Sequence, residues 1–195
     1  KFTTNLFAHP YHGSLYYNAA RSNNLSFWQS LPYALGGSLM WEFMGEVEPP
    51  AINDVMATTM GGICFGELSH RISHLLLDDS SRGFQRFLRE FGATLVNPIG
   101  GFNRLITGKA WRIKRQYHKY HDYEALPIDL SISSGIRYLA DNGAMFRGDY
   151  NAFMNVFLEY GDPLNESTTK PYDFFSLEAM FGIVGEQPLV NAIHI

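Results

Sequence analysis

The chain has 195 residues, enough to bury a sizeable core in one domain or in two small ones. Its formal net charge of −4 removes the electrostatic case for nucleic acid, and its single cysteine, Cys64, rules out an internal disulfide. Charged residues make up only 17 % while aromatics reach 15 %, which points to an aromatic-rich core or to a surface that meets lipid.

Residues 1–24 contain His9-Pro10-Tyr11-His12-Gly13, where Pro and Gly predict a strand or loop leading inward. Residues 1–7 lack the long apolar core of a signal peptide, and Val190–Ile195 stop in what reads as mid-strand. The expectation is a processed or trimmed piece of a longer chain. No purely apolar run reaches about 18 residues, so a simple transmembrane helix is not expected.

The first helix is expected to start at Ser26 as N-cap and to run to about Gly45 or Glu46, with Pro32 disturbing its first turns. Glu48-Pro49-Pro50 stops it. A second helix follows from about Ile52 to Leu77, with Asp54 placed to favour the helix dipole. Gly36-Gly37 in the first helix and Gly61-Gly62 with Gly66 in the second predict a hairpin whose backbones approach closely. Cys64, among apolar neighbours, is expected to be buried.

Asp78-Asp79-Ser80-Ser81 reads as a turn capping a third, amphipathic helix. It sets Phe84, Phe87, Leu88, Phe91 and Leu95 against Arg82, Gln85, Arg86 and Arg89. Asn97-Pro98 breaks this helix, and one or two further turns cover Phe102–Ile106. A basic stretch then holds Lys109, Arg112, Lys114 and Arg115, suited to anionic lipid head groups or to a solvated face.

After Leu126-Pro127 the apolar period changes from helical to two. Ile128, Leu130, Ile132, Ile136 and Tyr138 alternate with polar residues, then Tyr150 through Tyr160, then Phe175 through Ile183, and a fourth run starts near Leu189. Turns fall near Asp141-Asn142-Gly143, Gly161-Asp162-Pro163 and Gly185-Glu186. Strands of about 10 residues suit a transmembrane barrel or a long soluble meander.

Candidate chemistry gathers between Trp41 and Asp79. Glu67 and His70 have the Glu-x-x-His spacing that puts two metal ligands on one helical face, and Glu42, Glu46, Asp54 and His74 complete a candidate polar or metal cluster. The competing reading pairs Glu67 with Arg71 at i,i+4. His9, His12, His70, Ser69, Ser73, Asp54 and Asp78 hold the residue types of a Ser/His/Asp hydrolase, without a nucleophile elbow.

His9-Pro10-Tyr11-His12-Gly13, Trp41-Glu42-Phe43-x-Gly45-Glu46, Asn53-Asp54 and Gly61-Gly62-x-x-x-Gly66-Glu67-x-x-His70-Arg71 together resemble one family. It is the uncharacterised envelope family of Gram-negative, Bacteroidetes-type bacteria known as domain of unknown function 3943. The resemblance is most specific over residues 9–105. It implies a helical segment preceding strands of an outer-membrane barrel, and it brings no catalytic residues.

The combined expectation is an α+β chain: a helical hairpin plus third helix over residues 1–108, with a plug as one arrangement, a basic connector over 109–126, and antiparallel strands over 127–195. The strands would belong to an outer-membrane β-barrel. The expected role is structural, or concerned with transport or interaction, without chemistry and without a cofactor. Partners would be outer-membrane lipid and other envelope proteins. The alternatives are a periplasmic location and a hydrolase, metal-dependent or Ser/His, acting on envelope lipid or glycan, with a divalent metal at Glu67 and His70.

Overall fold

The computed structural model describes residues 8–46, 49–113, 127–141, 144–164, 170–184 and 190–194. It divides into two compact units, residues 1–122 and residues 123–195. Among its described residues the first holds the α-helices α1 (His9–Arg21), α2 (Phe27–Met40), α3 (Ile52–Leu76), α4 (Gly83–Val96) and α5 (Pro98–Ile106). The second is an antiparallel sheet of β1 (Ile128–Asp141), β2 (Ala144–Tyr160), β3 (Phe175–Val184) and β4 (Val190–His194).

Of the expected strand or loop over residues 1–24, the stretch His9–Arg21 is instead helix α1, and residues 1–7 lie outside the described residues. Pro10 sits in its first turn, where a missing N–H costs nothing. Gly13 is needed for a different reason: a Cβ there would collide with the carbonyl oxygen of Thr58 on α3. Gly13, expected to break regular structure, is therefore a contact residue of a helix.

That finding also corrects the partner of the glycine stripe. Gly61, Gly62 and Gly66 of α3 face Pro10, Gly13 and Tyr17 of α1, not the glycines of α2. Gly37 of α2 lies under the ring of Tyr16, again on α1, while Gly36 faces open space. Close backbone approach was the right reason for the glycines, but α1 is what approaches. α2 still meets α3, through a Ser38 hydroxyl that donates to the Val55 carbonyl at 3.1 Å.

Ser26 caps α2 with a full capping box: its side chain accepts from Gln29 N, and the Gln29 side chain accepts from Ser26 N. The helix continues into a π-helical turn over Trp41–Gly45, which ends beside Glu46. The expected cap at Asp78–Ser81 is a turn rather than a cap. Asp78 accepts from the amide and hydroxyl of Ser80, and α4 begins after Arg82 with no side-chain cap. Asn97 caps α5 by accepting from Gly100 N, with Pro98 as its first residue.

The helical unit is polar inside and apolar outside. Its buried side chains include Arg21, Glu42, Glu67, His70, Arg71, Arg86 and Arg104, whereas Phe84, Phe87, Leu88, Phe91 and Leu95 are all exposed. The apolar stripe of α4 thus faces away from the unit, with Phe84, Phe87 and Phe91 stacked along it at 6.2 and 6.0 Å. Trp28, Phe43, Met44, Ile52 and Met60 extend the exposed apolar surface over α2 and α3. Cys64 is exposed as well, contrary to its apolar sequence context.

The sheet is a simple meander in the order β1-β2-β3-β4. β1 and β2 have 14 and 17 residues, longer than the usual range of about 3–10. The register stacks Leu130, Leu158 and Leu177, then Ile132, Val156 and Ala179, on one face. Ile193 of β4 continues that second row beside Ala179. The opposite face carries Asp129, Glu159 and Ser176 in one row and Ser133 with Asn155 in another. Phe153 covers Gly135 across this face, filling the space where a side chain is missing.

Candidate functional site

Tyr17 and Arg21 lie four apart on α1, and Glu67 and Arg71 four apart on α3, so each pair shares one helical face. Gly66 lets the Tyr17 ring settle against the α3 backbone. The result centres on the fully buried Glu67. Tyr17 Oη donates to its Oε2 at 2.8 Å and Arg21 Nε to the same oxygen at 2.9 Å. Arg21 Nη2 and Arg71 Nε donate to Oε1 at 3.2 and 2.9 Å.

A carboxylate buried this deeply must be compensated, and here it is by two guanidiniums and a phenol. Burial first, and the Glu67 charge second, raise the Tyr17 hydroxyl above its ordinary range, so it remains a donor. One turn along α3, His70 and His74 bring their ring centroids to 4.2 Å, the rings tilted at 47° to each other. Burial lowers both imidazoles, and the neighbouring His74 adds to the effect on His70. His74 is held down to about 3 by burial and then by Arg104, Arg21 and Lys109, against a smaller opposing effect of Asp79. Both rings are therefore neutral near pH 7.

A second ionic network joins α4, α5 and the turn before α4. Arg104 donates to Asp79 Oδ1 at 2.6 Å and to both Glu90 oxygens, at 2.7 and 2.9 Å. Arg86 donates to the carbonyls of Asp79, Lys109 and Ala110 at 2.7–2.9 Å. It replaces the apolar packing that α4 would otherwise use to hold to its neighbours.

The third cluster lies where the π-helical turn meets the start of α3. Carboxylate oxygens of Glu42, Glu46 and Asp54 all lie within 4.8 Å of one another. Glu42 is buried and accepts from Ala51 N, and Glu46 accepts from Trp41 Nε1 at 3.3 Å. The buried His9 of α1 brings Nε2 to 4.0 Å from Glu46 and from Asp54, while its Nδ1 lies 2.9 Å from Thr58 Oγ1.

The family model of the Domain of unknown function (DUF3943) matches residues 1–99. The chain belongs to the DUF3943 family. No curated protein matches it, and no solved structure does. The matched stretch of this DUF3943 protein contains Glu67 with all its partners and the whole carboxylate cluster, and it ends before Arg104 and the sheet.

The six candidate residues of the DUF3943 chain fall into separate groups. Glu42, Glu46 and Asp54 come together. Glu67 engages arginines and a tyrosine, so its oxygens are already shared among protein donors. His70 lies beside His74 rather than beside a carboxylate. The Ser69 hydroxyl donates to the Gly66 carbonyl and accepts from Asn18, and the Ser73 hydroxyl donates to the His70 carbonyl. Of the basic stretch, Arg112 is exposed and Lys109 half-buried, while Lys114 and Arg115 lie outside the described residues. Sequence reasoning placed neither Arg21 in the Glu67 network nor His9 in the carboxylate cluster. Both sit on α1, whose sequence predicts a strand or loop, and spacing within α3 alone carries no trace of them.

Proposed function

We propose that this chain is an envelope protein of the outer membrane, with its sheet forming one sector of a lipid-facing barrel wall and with a structural, transport or interaction role. The observation that carries this reading is the exposed apolar face of the sheet. Leucine, isoleucine, valine and tyrosine follow one another on this face through the rows that join β1, β2 and β3, with Ile132 and Ile136 65 % and 76 % exposed on it. The other face carries Asp129, Ser131, Ser133, Asn155 and Glu159 among Phe153, Phe157 and Met180. Exposed apolar faces of this extent mark lipid or partner contact.

The length of β2 fits a bilayer. Tyr138 and Tyr150 meet at 5.0 Å toward one end of the face, and toward the other Tyr160 stacks on Phe175 at 5.0 Å, both of these rings being buried. Tyr150 and Tyr160 are ten residues apart on β2, about 33 Å along the strand. At a barrel tilt of about 40° this stretch of β2 spans about 25 Å, the height of the apolar band of outer-membrane barrels. A complete barrel takes eight or more strands, so these four form part of one.

The helical unit supports a lipid environment independently. None of its described helices is long and apolar enough to cross a membrane. The exposed Phe and Leu stripe of α4, with Phe102 and Ile106 of α5 and the exposed Trp111 beside Arg112, suits a surface lying in the head-group region. The buried Glu, Arg and His groups then hold the helices together without chemistry. The test is fractionation of the expressing cells, with a gel of unheated and heated samples. A barrel protein stays with the outer membrane after an alkaline wash and migrates differently once heated; release by the wash with a single heat-independent band overturns the proposal.

A further inference from the structure

We infer that His9, Glu42, Glu46 and Asp54 form a binding site for one divalent transition-metal ion, of the zinc or manganese class, that ties α1 to the junction of α2 and α3. Three observations converge on this. Glu42, Glu46 and Asp54 bring carboxylate oxygens within 4.8 Å of one another from two different elements. His9 is 4 % exposed, and its Nε2 lies at the edge of this group beyond hydrogen-bonding distance, 4.0 Å from Glu46 Oε1 and from Asp54 Oδ1. Its other nitrogen is held by Thr58 Oγ1 at 2.9 Å.

That last contact has the form of an outer-shell support. A ligating histidine gives its second ring nitrogen to a fixed acceptor, which sets the tautomer and aims the lone pair. In the tautomer that donates Nδ1–H to Thr58 Oγ1, Nε2 carries the lone pair toward Glu46 and Asp54. Two donors each about 2.1 Å from one ion stand about 3–4.2 Å apart, so the 4.0 Å gaps close around a metal by small side-chain rotations. Three carboxylates alone suit calcium or magnesium; the imidazole shifts the preference to zinc or manganese. Gly13 and Gly62, by letting α1 lie against α3, bring His9 within reach of the cluster.

The site differs from the Glu67 and His70 pair that spacing alone suggests. Its chemistry is structural closure: α1, the π-helical turn and the first turns of α3 each supply a ligand, so the ion joins three elements.

The test uses the full chain, purified and stripped with EDTA, and titrated calorimetrically with Zn²⁺, Mn²⁺ and Ca²⁺. We expect one Zn²⁺ or Mn²⁺ per chain and weaker Ca²⁺ binding. Asp54→Asn and His9→Gln should each weaken binding at least tenfold, and Thr58→Val about ten- to a hundredfold at unchanged stoichiometry. Asp78→Asn, an exposed carboxylate elsewhere, should bind like wild type. X-ray absorption of the zinc-loaded wild type, which needs no variant to fold, should show one imidazole among oxygen ligands. Absence of stoichiometric binding, equal affinity in Asp54→Asn and His9→Gln, or a zinc shell without imidazole overturns the inference.

Discussion

Gly13 and Gly62 touch backbone to backbone: a Cβ placed on Gly62 would stand 2.5 Å from the Gly13 Cα. Neither helix has a flexible side chain at this point that can yield, so the helices themselves must separate. Gly62→Ala should therefore destabilise the helical unit by about 1–3 kcal/mol or more, as overpacking does. Gly36→Ala is the informative contrast. It lies mid-helix with nothing within 4 Å, and it should be neutral or stabilising by up to about 1 kcal/mol. All three tryptophans, Trp28, Trp41 and Trp111, fall in residues 1–122, so denaturant titrations followed by tryptophan fluorescence read this unit.

Glu67 is the common acceptor for Tyr17, Arg21 and Arg71. Glu67→Gln keeps the shape but leaves two buried guanidiniums facing a neutral amide. Breaking a buried ion pair from one side costs about 3–5 kcal/mol, much of it from the stranded charge. The same measurement on Glu67→Gln should show a loss of that order. Tyr17→Phe removes one hydrogen bond and strands no charge, so its cost should be nearer 1 kcal/mol. A Glu67→Gln chain as stable as wild type would mean that the network contributes nothing.

His70 and His74 make stability fall in acid. Their folded-state values lie below the unfolded value near 6.5, so the unfolded chain takes up protons first as the pH drops. The stabilisation is complete above about pH 6.5 and is lost as the pH falls through the window toward about 3 for His74. For His74 alone this is about 2 kcal/mol between pH 8 and pH 5. Denaturation at several pH values should show this decline, and His74→Gln should flatten it by up to about 1.4 kcal/mol per pH unit. An unchanged slope in the variant would place the titrating group elsewhere.

Much of this fold was legible because local rules were obeyed locally. Ser26 before α2 and the alternation from Ile128 to Ile183 each announce an element without reference to anything distant, whereas Asn97-Pro98, expected only to break α4, also caps and opens α5. The helix α1 was not legible, since Pro10 and Gly13 have the same sequence signature in a turn and in a helix that packs closely. Only the presence of Thr58 and Gly62 opposite distinguishes the two cases. The sites followed the same divide. Glu67 with Arg71, and Glu42 with Glu46, are visible as i,i+4 pairs, whereas Arg21 and His9 join from 46 and 37 positions away or more. The outward stripe of α4 was illegible for another reason. Periodicity locates an apolar face, but which side it turns to depends on where Arg86, Glu90 and Arg104 find their partners.

The sheet offers the sharpest test of its environment, because Ile132 and Ser133 are adjacent yet lie on opposite faces. Ile132 pairs with Val156 on the apolar side, and Ser133 with Asn155 on the polar side. Both lie between the Tyr138 and Ile128 ends of β1, near mid-height of the proposed apolar band. An arginine facing lipid at the bilayer midplane costs about 2–4 kcal/mol, whereas one facing the interior of a barrel is tolerated. Ile132→Arg should therefore sharply reduce the heat-modifiable fraction of membrane-inserted protein, and Ser133→Arg should leave it near the wild-type level. If the apolar face instead covers a soluble core, Ile132→Arg would still destabilise, but no heat-dependent form would exist in either chain. Equal tolerance of both substitutions in a membrane-inserted protein would mean that neither face meets lipid.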